Sequence, residues 1–327
     1  MALEQSNYIA VISDIKIKIQ QAQYRAVLSA NKELIMLYRH IGKVLIDNSS
    51  WGNKFIDNLS KEIQSDFPGI KGYSVRNLKY MKKFTEDFPD EEFVQQVVAQ
   101  ISWRHIIKLM DKGSSYEAQV WYANKTIENG WSSNILAMQI DSQLYERQAI
   151  STKTTNFLTK LPEPQSELAI ETIKDPYVFE FLSMEEKLLE KDIEKSLVQN
   201  ITKFLLELGD GFAFIGNQYH LKVADGDFYL DLLFYNYKLH CFFAIEIKTG
   251  EFHPEYAGKM NFYLSAIDDL LKTEQDNNSI GLILCRNKNK LIAEYALKDM
   301  TKPIGVSEYK VLEEITRKIV GSSNELL

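Results

Sequence analysis

The chain has 327 residues, 45% of them hydrophobic and 25% charged, with a mean hydropathy of −0.25 and a formal net charge of −7. That length suits two domains of ~100–200 residues each, and no apolar run approaches the ~20 residues a bilayer-spanning helix needs, so no membrane association is expected. The net charge conceals an asymmetry of +3 over residues 1–160 and −10 over residues 161–327. An acidic total places any nucleic-acid binding on local patches rather than on the whole surface.

The opening MALEQSNYIAVISDIKIKIQ lacks a basic segment followed by an apolar core, so secretion is not expected. Cys241 and Cys285 lie in apolar runs without metal-ligand spacing, as buried thiols of a reduced cytoplasmic protein would.

In chain order, residues 8–28 and 31–47 carry apolar positions at three- and four-residue spacing, among them Ile12, Ile15, Ile19 and Ala22, and predict two helices. Further helices are predicted over 53–66, 74–87, 91–99, 103–111, 115–129 and 133–148, so residues 1–150 read as an all-α domain. Trp103, Trp121 and Trp131 read as core anchors, and His105 as a satisfied polar group. Residues 151–176 gather Ser, Thr and Pro and read as a linker, leaving 177–327 as a second domain. That domain opens with an amphipathic helix over 184–209, ended by Gly209. Strands are predicted over 212–223, 227–236 and 240–248, a helix over 254–272 opened by Pro254, a buried strand over 279–285, a helix over 291–299 and a last strand near 304–309. The whole is an α+β two-domain protein with an αβββαβ core, in which a strand–helix–strand connection implies parallel pairing.

The segment DFYLDLLFYNYKLHCFFAIEIKTG carries the chemistry. Its two strands should form an antiparallel hairpin. Glu246 and Lys248 are two residues apart and share a face with Phe242 and Ala244. A turn centred between Tyr237 and Lys238 sets Asp231 opposite Ala244 and diagonal to Glu246. Two carboxylates then converge on one hard cation, Mg²⁺ or Mn²⁺, with an ammonium beside them. A surface Glu–Lys pair at a strand end has the same spacing.

From Pro176 to Tyr309 the sequence resembles the C-terminal domain of the YhcG-type PDDEXK nuclease family. The likeness lies in FLLELGDGFAFIGNQYHL, DFYLDLLFYN, AIEIKTGEFHPEYAGKMNFYLSAIDDLL, IGLILC and EYALKDMTKPIGVSEY. It implies a restriction-endonuclease-like core and divalent-metal hydrolysis of phosphodiesters, with Asp231 as the first acid and Glu246-Ile247-Lys248 as the E-x-K. Asp231 and Glu246 would hold the metal, and Lys248 would position the attacking water. Leu230 stands where the motif has proline.

Related nucleases place a further acid on the helix before the sheet. Glu194 fits because Leu197, Val198, Ile201, Leu205 and Leu208 follow it on one face, whereas Glu207 shares a face with Lys203 and Asn200 and should be solvated. Lys259 and Tyr263 resemble the Q-x-x-x-Y element of RecB-like nucleases, with lysine in place of glutamine, and Gln218 could line the cleft.

Residues 53–84 read as a helix-turn-helix whose second helix, capped by Ser74, presents Arg76, Asn77 and Lys79 to nucleic acid, within a basic stretch that also holds Lys71, Lys82 and Lys83. This region also resembles the helical N-terminal part of the same family. The expected function is a metal-dependent DNA nuclease serving defence against foreign DNA or DNA repair. The alternatives are an RNase with the same core and a non-catalytic scaffold that binds nucleic acid. Self-association is compatible with the many helices.

Overall fold

The computed structural model describes residues 2–51, 53–112, 114–179, 181–182 and 189–310. It divides into two compact units, residues 1–141 and 142–327. Among the described residues no helix is long and apolar enough to cross a membrane.

The first unit is helical, with α1 (Ala2–Asp47), α2 (Asn53–Asp66), α3 (Val75–Asp87), α4 (Glu91–Gln96), α5 (Trp103–Asp111), α6 (Tyr116–Asn129) and α7 (Ser133–Asp141). The two helices expected over 8–47 are one, because nothing in VLSANKEL is a helix breaker. Among the described residues its later turns are anchored through buried Ile35, Tyr38 and Leu45, and α3 supplies Leu78, Met81 and Phe84 to the same core. Tyr38, Phe84 and Trp103 pack edge-on at 4.8 and 5.4 Å between ring centroids. Trp103 thus anchors the unit, and His105 is satisfied by Ser102 Oγ and the Trp131 carbonyl. The helix expected over 133–148 stops at Asp141, and a π-helical turn over Glu146–Ile150 follows in the second unit.

The second unit contains β1 (Thr154–Thr155), α8 (Phe157–Lys160), α9 (Gln165–Thr172), β2 (Tyr177–Val178), α10 (Glu190–Gln199), α11 (Ile201–Leu208), β3 (Phe212–Val223), β4 (Gly226–Asn236), β5 (Cys241–Glu251), α12 (Pro254–Leu270), β6 (Ile280–Asn287), α13 (Lys290–Lys298) and β7 (Ile304–Lys310). The sheet order is β1-β7-β6-β5-β4-β3, with β2 also on β7. β5 pairs with β6 and β6 with β7 in parallel, as the crossover through α12 predicts, while β3-β4-β5 is antiparallel. Parallel centre strands carry helices on both faces and are apolar throughout; Ile280–Cys285 is accordingly buried without alternation. One face packs on α10 and α11 through Ile193, Leu197, Phe204, Leu208, Phe243 and Ile245. The other packs on α12 and α13 through Ala244, Met260, Leu264, Ile267, Ile283 and Ala293.

Two expectations are corrected here. Residues 151–176 are folded rather than a linker: β1 extends the sheet, and Phe157, Leu161, Ala169 and Ile173 enter the core. Their polar composition concealed a few apolar side chains spaced to reach the sheet. The helix over 184–209 breaks at Asn200, whose Nδ2 donates to the Ser196 carbonyl at 3.0 Å; residues 184–188 lie outside the described residues.

Glu207, expected to be solvated, is buried. Its carboxylate pairs with the Arg147 guanidinium, lies 3.8 Å from Lys174 Nζ and accepts the Val178 N–H at 2.8 Å. Arg147 also donates to the Ser142 and Pro176 carbonyls at 2.7 and 3.1 Å. The partners come from residues far away in sequence, so helical periodicity on α11 could not show them.

Candidate active site

β4 and β5 pair only from Leu232↔Ile245 to Asn236↔Cys241. Beyond that point β5 keeps β6 and β4 keeps β3, so the two strands diverge. The β3–β4 ribbon also twists there: Leu232 and Phe234 bury against the α10/α11 layer, Phe228 and Leu230 against the α12 layer. Gln218, at φ 45°, marks the distortion on β3. Asp231 stands at the divergence, and its Oδ2 accepts the Ile247 N–H at 2.9 Å in place of a ladder bond.

The register differs from the expected one by two residues, since Leu233 and not Asp231 lies opposite Ala244. The cause is the turn. Asn236 Oδ1 accepts both the Lys238 and Leu239 N–H at 3.0 Å, and His240 takes φ 48°, giving a four-residue connection. The slide brings Asp231 level with Glu246, at the point where the twist of the ribbon interrupts the alternation of β4.

Glu246 is 2% and Lys248 7% exposed. Glu246 Oε2 lies 3.0 Å from Lys259 Nζ and 3.4 Å from Lys248 Nζ, while Oε1 is buried without a hydrogen-bond partner. Lys248 Nζ also donates to the Ile247 carbonyl at 3.0 Å and to Glu190 Oε2 at 3.1 Å. Burial raises the pKa of Asp231, and burial followed by the Asp231 charge raises that of Glu246. Burial opposes the Lys248 ammonium, but Glu246, Glu190 and Asp231 outweigh it and hold Lys248 protonated. Lys259 is raised in the same way, burial being outweighed by Glu246.

The accessory positions converge on this centre. Gln218 Nε2 donates to Glu194 Oε2 at 2.7 Å and reaches Asp231 Oδ1 at 3.5 Å, and Asn217 Nδ2 donates to Glu194 Oε1 at 3.1 Å. Glu194 is therefore buried one side chain away from Asp231. Tyr263 donates to the Tyr229 carbonyl at 2.8 Å and lies under Lys259 Nζ, 5.1 Å from the ring centre. Glu190, which sequence reasoning passed over, is a second acid in contact with Lys248, beside Glu246. Its signal was its place one helical turn before Glu194.

Among the described residues no three His, Cys, Asp or Glu side chains form a ready-made metal cluster. The donors at hand are the Asp231 carboxylate, the unpartnered Glu246 Oε1 and the Ile247 carbonyl. All are hard oxygens, the set that suits Mg²⁺ or Mn²⁺ with waters and a phosphate completing the shell.

In the first unit, Lys71, Arg76 and Lys79 are exposed. Asn77 is turned inward, donating to the Gly72 carbonyl and accepting Trp103 Nε1–H at 2.7 Å. Lys83 donates to the Met110 carbonyl at 2.7 Å, and Lys82 lies 3.9 Å from Glu86. Asn77 and Lys83 are therefore occupied within the unit. The connection between α2 and α3 covers residues 67–74, longer than the ~3–4-residue turn of a helix-turn-helix.

A mixed sheet with helices on both faces, one acid where two strands part and an E-x-K on the neighbouring strand define a nuclease domain of the PDDEXK class. Residues 170–322 match the family described as the YhcG PDDEXK nuclease domain, and residues 14–147 match the DUF1016 N-terminal domain family. The chain is 29% identical over 330 residues to "Putative nuclease YhcG" of Escherichia coli (strain K12), covering 90% of this chain and 87% of that protein. Two solved structures also resemble it. A repair endonuclease from Pyrococcus abyssi matches at 12% identity and a TM-score of 0.26, over 39% of this chain and 49% of that one. An EndoMS–dsDNA complex matches at 13% identity and a TM-score of 0.27, over 40% and 48%. The chain thus spans about half the length of each of these two structures.

Proposed function

We propose that this protein is a divalent-metal-dependent nuclease acting on DNA. The observation that carries the reading is Glu246, a buried carboxylate with one oxygen unpartnered, beside Asp231 and Lys248. Burying such a charge is costly without a compensating cation. Bound Mg²⁺ or Mn²⁺ would supply charge neutralisation at the phosphate and a water of lowered pKa. Asp231, Glu246 and the Ile247 carbonyl would hold it. Lys248, protonated and fixed by Glu190, orients the attacking water and faces the developing negative charge. Glu194 steadies Asp231 through Gln218.

A non-catalytic scaffold has no use for this set of buried charges, whereas an RNase would share it. The decisive assay is cleavage of circular single- and double-stranded DNA and of RNA with Mg²⁺ or Mn²⁺ by wild type, Asp231→Asn and Lys248→Met. Metal-dependent cleavage of DNA by wild type alone supports the reading. Cleavage of RNA only replaces DNA by RNA, and cleavage that survives both substitutions rejects the site. A role in defence against foreign DNA or in repair, in the cytoplasm, is the biological setting we favour.

For the helical unit we propose nucleic-acid contact through Lys71, Arg76 and Lys79. Changing Arg76 and Lys79 to Gln should weaken DNA binding uniformly across sequences and lower the slope of log K against log salt by about 2. An unchanged slope in a salt titration of DNA anisotropy would remove this patch from the interface.

A further inference from the structure

Two residues before Asp231 on β4, Tyr229 is 51% exposed. Its cross-strand partner on β3 is His220, also exposed, and the two rings stack at 5.2 Å with 26° between planes. His220 is held in turn by Asp227 Oδ1 at 2.6 Å. His220 takes up the β3 side of the Tyr229 ring. β4 has its last β5 partner at Leu232, so the other side of the ring belongs to the edge that β5 has left. The backbone beneath is fixed, because the Tyr229 carbonyl accepts the Tyr263 hydroxyl at 2.8 Å. Two strand steps of ~3.3 Å separate Tyr229 from Asp231, a span comparable to one nucleotide repeat.

An exposed aromatic ring on a sheet is an ordinary feature; one backed by a second ring, on a fixed backbone and facing an opened strand edge beside a phosphodiester-cleaving centre, is a surface for a flat ligand. We infer that Tyr229, backed by His220, is a stacking platform for the base of an unpaired nucleotide next to the scissile phosphate. The preferred substrate is then single-stranded, frayed or flapped rather than fully paired. The inference rests on the nuclease reading and narrows its substrate. Stacking on an aromatic ring tolerates any base, because every base has a π-face, so the platform selects unpaired structure and not sequence.

The test is fluorescence anisotropy of wild type, Tyr229→Ala, Tyr229→Phe and His220→Ala on a labelled single-stranded oligonucleotide and on a blunt hairpin duplex, with Ca²⁺ in place of Mg²⁺ to prevent turnover. Thermal melting controls for folding. Tyr229→Ala should lose about tenfold in affinity for the single strand, with the duplex unchanged. Tyr229→Phe should match wild type, and His220→Ala should fall between. In cleavage assays with Mg²⁺ the loss should lie in KM more than in kcat. Unchanged single-strand binding by Tyr229→Ala, or equal loss on both DNAs, overturns the platform while leaving a cleaving wild type intact as a nuclease. A folded wild type that neither binds nor cleaves nucleic acid overturns both readings together.

Discussion

Asp231→Asn and Glu246→Gln should each abolish cleavage, by at least about 10³-fold, while raising the melting temperature of the metal-free protein at neutral pH. The first effect follows from removing one of the two charged donors of the proposed cation site. The second follows from the raised pKa values of both carboxyls, caused by burial first. A carboxyl whose folded pKa exceeds its unfolded value binds more protons in the folded state. Its ionisation therefore destabilises the fold, fully above the folded pKa and not at all below the unfolded one. An amide mimics the neutral form, and the Asn oxygen can still accept the Ile247 N–H. The gain should be on the order of 1 kcal/mol, or about 2–4 °C, and should vanish in acid. Loss of activity accompanied by a lower melting temperature at pH 7 would show that these charges hold the fold rather than a metal. Because protons compete with the cation for these raised carboxyls, metal affinity should begin to fall above the ordinary carboxylate range as the pH is lowered.

Glu207→Ala should destabilise the second unit by about 3–5 kcal/mol, the cost of stranding buried cations. Arg147 and Lys174 are 3% and 2% exposed and would both lose their carboxylate. Burial foremost already brings the Lys174 pKa down to about 8, so its ammonium is poorly tolerated even with Glu207 present. The substitution also removes the acceptor of the Val178 N–H, where β2 joins β7. Urea denaturation should show the midpoint falling at constant m, with cleavage by the remaining folded fraction retained. A loss under about 1 kcal/mol would mean that Ser142 and Pro176 alone suffice for Arg147, and that Glu207 is replaceable.

The strands of the nuclease unit were legible from residues 212 to 309 because each carries either strict alternation or an unbroken apolar run between turn residues. The candidate site was legible because Asp231, Glu246 and Lys248 are charges set inside such runs. Sequence spacing also sufficed for the face that Glu246 and Lys248 share, since β5 alternates with period two, whereas Asp231 sits where the alternation of β4 breaks.

Tertiary structure alone decided how these elements meet. The hairpin register depends on the Asx turn at Asn236, and a two-residue slide leaves the alternation unchanged, so pattern cannot detect it. Glu190 was passed over and Glu207 misjudged, and the contacts of Asn77 and Lys83 could not be foreseen, because each is defined by a partner elsewhere in the chain: Lys248, Arg147, Trp103 and the Met110 carbonyl. Residues 151–176 looked like a linker because a few apolar side chains suffice once a sheet edge is there to receive them. By itself the sequence determined which residues are apolar, which alternate and where charge is buried, since these are local properties of the chain. Which charge meets which, and where β4 parts from β5 to open the site, depends on packing between distant segments, and only the folded structure decided it.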